Sequence, residues 1–263
     1  MLSTRRKSGH LPPDMFQLSE LNPPVEVQDA EYQRLLGYPK SRALDGRARE
    51  LADAARQWYA ANGRPWIFAR QSGAPKLADG KLRLGGTAFT STQLHDQFVE
   101  AQADNTVLVA VSAGPECEAH AQQLWRESKP DEYFFLETFG SAVVEHLVTI
   151  ANGRICAWAD ANGSAALPHY SPGFSGWEVA DQIELWKLLR QTAEGIFPGQ
   201  LDVLDSGMLR PKKSLLAVVG LTRDLEKAGR FARFIPCENC SLPKCRYRRA
   251  AYKRCRAQIE VIR

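Results

Sequence analysis

Thiol chemistry is the first the chain offers. Cys237, Cys240, Cys245 and Cys255 crowd toward the C-terminal end and make up four of the six cysteines. In Cys237-x-x-Cys240 one turn of chain around Glu238-Asn239 brings two sulfurs to the same side, as a tetrahedral thiolate site requires. Cys245 and Cys255 supply a third and a fourth ligand. The surrounding positive charge favours thiolate over thiol. Zinc and an iron–sulfur cluster both accept such a set, and the spacing does not choose between them. The competing reading is a group of reduced thiols on a basic helix, with no metal.

A second stretch with chemical content is His169-Tyr170-Ser171-Pro172-Gly173-Phe174. The Pro-Gly pair marks a tight turn. It is followed by Ser175-x-x-Glu178, a capping-box pattern that predicts a helix carrying Ile183, Trp186 and Leu189. A turn leading into a helix N-terminus exposes backbone N–H groups and a positive helix end to an anionic ligand. Nucleophilic and nucleotide chemistry lack their usual patterns: there is no Gly-x-Ser-x-Gly elbow, no Walker loop, and no GxGxxG after a strand. Lys212-Lys213-Ser214 reads as the turn into a final strand. Trp125, Trp158, Trp177 and Trp186 are assigned to packing, their default role.

The elements that must position these residues follow from periodicity. Leu44, Ala48, Leu51, Ala55 and Trp58 form one helical stripe, ended by Asn62-Gly63. Short apolar pieces broken by glycine over 66–90 predict strands and a hairpin. Ser91 or Thr92 can cap a helix through Leu94 and Phe98. Thr106 to Val111 reads as a strand buried on both faces, followed by a helix to about Ser128. Another helix begins near Pro130 and carries Phe135, Phe139, Val143, Val144 and Leu147. Strands are also predicted at 201–204 and 215–219. Long helices mixed with strands, without strict βαβ alternation, predict an α+β fold.

With 263 residues, 44% hydrophobic and 24% charged, the composition is that of a globular chain. No uninterrupted apolar run of about 18 residues occurs, so neither a membrane-spanning helix nor a membrane partner is expected. The N-terminus shows no secretory pattern, and the expected compartment is the cytoplasm. The net charge of +4 is unevenly placed: 230–263 carries ten Lys/Arg against two Glu, or +8, leaving 24 basic and 28 acidic residues, or −4, elsewhere. Arg246, Tyr247, Arg248, Arg249 and Tyr252 interleave basic and aromatic groups as nucleic-acid binders do. A solvated basic helix is the commoner outcome, so nucleic acid is not the expected partner. Three segments result: an N-terminal arm over 1–28, a main domain over 29–229, and a basic, cysteine-rich segment over 230–263.

Several motifs, in order, carry a resemblance. These are Leu36-Gly37-Tyr38-Pro39, Ala110-Val-Ser-Ala-Gly-Pro-Glu116, Glu137-Thr-Phe-Gly-Ser-Ala-Val-Val-Glu145, the 169–177 loop, and Arg210-Pro-Lys-Lys-Ser214 with Val219-Gly220-Leu221. Over about 29–222 the chain resembles the activation domain of cobalamin-dependent methionine synthase, in the form of stand-alone proteins built from that domain. The resemblance implies a C-shaped α+β domain, mainly an antiparallel sheet flanked by helices. It also implies binding of S-adenosylmethionine by 169–174, with Glu145 near the ligand. The partner would be methionine synthase or another corrinoid protein carrying the cobalamin, with an electron from a flavodoxin-type donor. Cob(II)alamin would be reduced to cob(I)alamin and remethylated there, the chain acting in trans while the cobalt carries the chemistry. Two positions depart from the family's Arg-x-x-x-Gly-Tyr pattern: His169 stands at the Arg and Phe174 at the Tyr. Histidine lacks the guanidinium fork and its charge depends on pH. Two other readings remain at this stage. One is an iron–sulfur protein that donates electrons to a corrinoid protein, and the other is a zinc-stabilised module that contacts nucleic acid or protein.

Overall fold

A computed structural model describes residues 15–39, 43–193 and 197–231. Its centre is three long antiparallel strands: β2 (Trp66–Gly73), β6 (Asn105–Ser112) and β10 (Ser214–Thr222). Outer strands β1 (Gln17–Leu21) and β7 (Ala165–Ala166) complete the order β1-β2-β6-β10-β7, a curled half-barrel. The fold is thus α+β, as the lack of strict alternation indicates.

Because side chains alternate across a strand, each central strand serves two cores. Ile67, Ala69, Val107, Val109, Val111, Ala217 and Val219 face one side. Trp66, Phe68, Leu108, Ala110, Leu216 and Val218 face the other. The first core is roofed by α1 (Asp29–Leu35), α2 (Gly46–Asn62), α4 (Pro115–Arg126) and α5 (Pro130–Ala161). The second holds α3 (Thr92–Glu100), α6 (Asp181–Thr192) and a small meander, β3 (Lys76–Ala78), β4 (Lys81–Leu84) and β5 (Thr87–Phe89). A two-stranded hairpin, β8 (Asp202–Val203) with β9 (Leu209–Arg210), precedes β10, and α7 (Leu225–Phe231) follows it.

The 32-residue α5 is the principal helix. Phe135, Phe139, Val143, Leu147, Ala151, Ile155 and Ala159 recur every fourth residue, and all are buried. By length and composition alone it could cross a membrane, although no single apolar run in the sequence suggests it. Its apolar stripe instead packs on the sheet, each larger side chain contributing roughly 1.5–3 kcal/mol. Gly163, at φ +66°, lies just beyond its C-terminus.

Three local features differ from the sequence reading. Residues 17–21, within the stretch read as an arm on the body or a mobile tail, add a strand absent from that reading: they pair with β2 from Gln17↔Arg70 to Leu21↔Trp66 and form the sheet's edge. Asp29–Leu35 adds a short helix that burial of Tyr32 secures, its hydroxyl donating to the Phe135 carbonyl at 2.7 Å. The Ser175–Glu178 capping box does not form. Helix α6 starts at Asp181, with no side-chain cap at Ala180. The Ser91 cap does form, its Oγ accepting from Leu94 N at 3.1 Å.

Gly140 and Gly153 sit on the same helix in opposite surroundings. A Cβ at Gly140 would lie 2.8 Å from Cys117 Sγ and 3.1 Å from Lys213 Cγ, whereas one at Gly153 would meet nothing within 4 Å. Alanine gains about 1 kcal/mol over glycine in a helix, but overpacking costs about 1–3 kcal/mol. Gly140→Ala is expected to lower the unfolding free energy and Gly153→Ala to raise it by up to about 1 kcal/mol. Denaturant unfolding of the two variants measures both signs.

Candidate functional site

After α5 the chain returns along the outer edge of β10. Ala165 and Ala166 pair with Thr222 and Leu221, and Leu167 N donates to Gly220 O at 2.8 Å. Tyr170 then exchanges two hydrogen bonds with Val218, at 2.9 and 2.8 Å. The loop that follows is therefore hung from the central sheet.

Its turn is closed from within. Phe174 N donates to Ser171 O, Gly173 N to Trp177 O and Trp177 N to Phe174 O, each at 3.0 Å. Gly173 has φ +92°, a conformation that favours glycine. The expectation of exposed amides fails at these three positions, because the loop uses them itself. Nor is the helix end open: the first turn of α6 carries Asp181 and Glu184. Asp181 Oδ2 accepts from Thr90 N, Thr90 Oγ1 and Trp177 Nε1 at 2.8, 2.9 and 2.8 Å.

Around this frame lies an aromatic cluster. The Tyr170 and Trp177 rings are near-parallel (8°) with centroids 6.2 Å apart, and Trp177 meets Phe89 at 5.7 Å edge-on. Phe174 lies 5.4 Å from Tyr170 and 5.9 Å from His169. The buried Tyr170 hydroxyl sits between the Gln93 side-chain oxygen and the Ser175 carbonyl. Tyr170 and Pro172 are both buried.

His169 is half-buried, its Nδ1 2.8 Å from Asn152 Nδ2 on α5. Ser171 is 3% exposed, and its Oγ has no hydrogen-bond partner among the described residues. An unpaired buried hydroxyl costs about 1–3 kcal/mol. The loop therefore holds an unspent polar group two residues after His169. Glu145 is half-buried on α5, two turns before Asn152 and about 10 Å along the same edge of the helix.

Other candidates settle into packing. His146 Nε2 accepts from Glu26 N at 3.1 Å, and His120 stacks on Trp58 at 4.3 Å. Trp177 and Trp186 are buried as expected, but Trp125 is 62% exposed. The Lys-Lys pair does more than turn the chain. Lys212 and Lys213 reach the two oxygens of Glu137 at 2.9 and 3.2 Å, and Lys213 also donates to Ser141 Oγ at 2.9 Å. This clamp ties the start of β10 to α5. No spacing rule in the sequence marks Glu137 as its centre.

Cys237, Cys240, Cys245 and Cys255 lie outside the described residues. Among the described residues no group of three His, Cys, Asp or Glu could hold a metal. Burial, reinforced by the charge of Glu137 and opposed by Lys213 and Lys212, pushes the Cys117 thiol up to about 12. It stays protonated and inert.

The sequence matches no protein-family model and no curated protein. Its fold does have a solved counterpart, the crystal structure of the MetH reactivation domain bound to AdoHcy. The two align with a TM-score of 0.52 at 12% identity, covering 80% of this chain and 81% of that one. The class defined is a reactivation-domain-like α+β fold.

Tyr170→Phe removes one hydroxyl and leaves the ring. It is expected to cost about 1–2 kcal/mol of stability and to speed amide exchange over 171–177. Denaturant unfolding with hydrogen-exchange mass spectrometry tests this, and unchanged exchange would show that the hydroxyl does not clamp the loop.

Proposed function

We propose that this chain is an accessory protein for the reactivation of a cobalamin enzyme, binding S-adenosylmethionine and acting in trans. The observation that carries the reading is the fold, shared over most of the chain with a reactivation domain crystallised with AdoHcy, the demethylated counterpart of that methyl donor. The Ser171 hydroxyl, buried and without a partner among the described residues, supports it, since such a polar atom suits the amino-acid end of a ligand.

In this reading His169 and Ser171 hold the carboxylate of S-adenosylmethionine, and Glu145 faces its ammonium group. Phe174 covers an apolar part, while Tyr170, Pro172 and Gly173 keep the loop in shape. Bound S-adenosylmethionine supplies a methyl group to the cobalt of a corrinoid held by the partner, methionine synthase or a related protein. A flavodoxin-type donor supplies the electron. This chain binds and orients the methyl donor. A single imidazole N–H grips a carboxylate less firmly than the guanidinium fork of the resembled family.

Calorimetry with S-adenosylmethionine and its demethylated product tests the reading. A ligand at about 100 times its dissociation constant adds roughly 2.7 kcal/mol of stability, visible as a shift in Tm. His169→Arg is expected to tighten binding. Ser171→Ala is expected to weaken it while stabilising the free protein, because the orphaned hydroxyl is removed. Absence of saturable binding at millimolar ligand, in both wild type and His169→Arg, would sink the proposal.

The segment 230–263 is proposed to hold a metal on Cys237, Cys240, Cys245 and Cys255, either zinc or an iron–sulfur cluster. Anaerobic purification with metal analysis checks this. Stoichiometric zinc in colourless protein identifies a structural site, and a visible charge-transfer band identifies a cluster. Protein with neither metal would overturn the assignment.

A further inference from the structure

Trp125 packs only along one side. It lies in the last turn of α4, 62% exposed, with the Tyr133 ring 5.1 Å away and tilted by 58°. Between α4, the start of α5 and the turn before β10 is an open cavity of about 370 Å³, lined by Gln122, Trp125, Arg126, Tyr133 and Lys212. Its lining pairs two aromatic rings with two cations. The Lys212 ammonium is 5.9 Å from the centre of the Tyr133 ring. Arg126 spends its Nε on the Gln122 carbonyl at 3.3 Å and forms no ion pair among the described residues.

Lys212 and Lys213 share the single carboxylate of Glu137, and the Lys212 main-chain N–H donates to Glu118 at 2.9 Å. The cleft lining itself holds two cations, Arg126 and Lys212, and no carboxylate. Burial alone would lower the Lys212 pKa, but its hydrogen bond and charge pairing with Glu137, together with Tyr133 and Glu118, hold it above the usual lysine range. The ammonium stays charged throughout the physiological range. A cavity of this volume suits a small molecule.

We propose that this cleft is a second ligand site that takes a nucleoside monophosphate. The base stacks on the exposed face of Trp125 against Tyr133, and the phosphate reaches Arg126 and Lys212. Stacking on an aromatic face is tolerant of the base, and a guanidinium beside an ammonium is a recognised phosphate pair. The site is built from different residues than the 169–174 loop and does not rest on the function proposed for that loop.

Titration of the full chain with AMP, read by tryptophan fluorescence and calorimetry, tests the site. Saturable binding is expected, weakening as salt rises because the phosphate contact is ionic. Trp125→Ala and Arg126→Gln, both changes at the surface, are each expected to weaken it about tenfold or more. Adenosine and inorganic phosphate alone should each bind at least about tenfold less tightly than AMP. Ser171→Ala should leave AMP affinity unchanged. The proposal is overturned by absence of saturable AMP binding at millimolar concentration, by binding that both cleft variants leave intact, or by adenosine binding as tightly as AMP. It is equally overturned if S-adenosylmethionine displaces AMP, which would place the nucleotide at the loop.

Discussion

The pairing of β6 with β10 is the constraint on which the rest depends. Eight residues of each strand face one another, from Ser214↔Ser112 to Leu221↔Asn105, and both faces of the ladder are buried. A strand covered on both sides cannot slip by one residue without exchanging its two cores. Phe68, Leu108 and Leu216 would move under α5, and Ile67, Val109 and Ala217 under α6. The register is therefore fixed, and with it the height at which every neighbouring segment meets the sheet.

The candidate site inherits that rigidity from one side. The inner edge of β10 is paired along its length, while among the described residues its outer edge carries only β7, Leu167 and Tyr170. Where this partial cover ends, the chain turns at Ser171 and Pro172 into the loop. His169 and Ser171 thus stand at the last point held by the sheet. The opposite wall comes from α5, through Asn152. At the other end of β10, Lys212 and Lys213 clamp the incoming chain to the same helix through Glu137.

Several elements were legible because one physical signal dominated each. The fourfold stripe of α5 and the apolar run of β6 admit few alternatives, and the Ser91 cap has a local geometry that no distant group contests. The edge strand β1 was not legible: a short strand with one solvated face shows little pattern until a partner is known. The Ser175–Glu178 box misled because tertiary contacts outbid a local cap, with the Tyr170 hydroxyl taking the Ser175 carbonyl and Asp181 drawn to Thr90 and Trp177. Trp125 was read as packing, since nothing in its neighbours along the chain reveals which helix face is left uncovered.

Composition and spacing by themselves settled the α+β class, the long helices, the central strands and the separation of a −4 body from a +8 terminus. These follow from periodicity and charge, which are properties of the chain read in order. Only the tertiary structure decided that three of the loop's amides are spent internally, that the Ser171 hydroxyl has no partner among the described residues, and that Glu137 gathers two lysines from a turn more than seventy residues away. Hydrogen bonds and ion pairs between distant segments depend on register and on the path of the returning chain. Neither is encoded in any single stretch of residues.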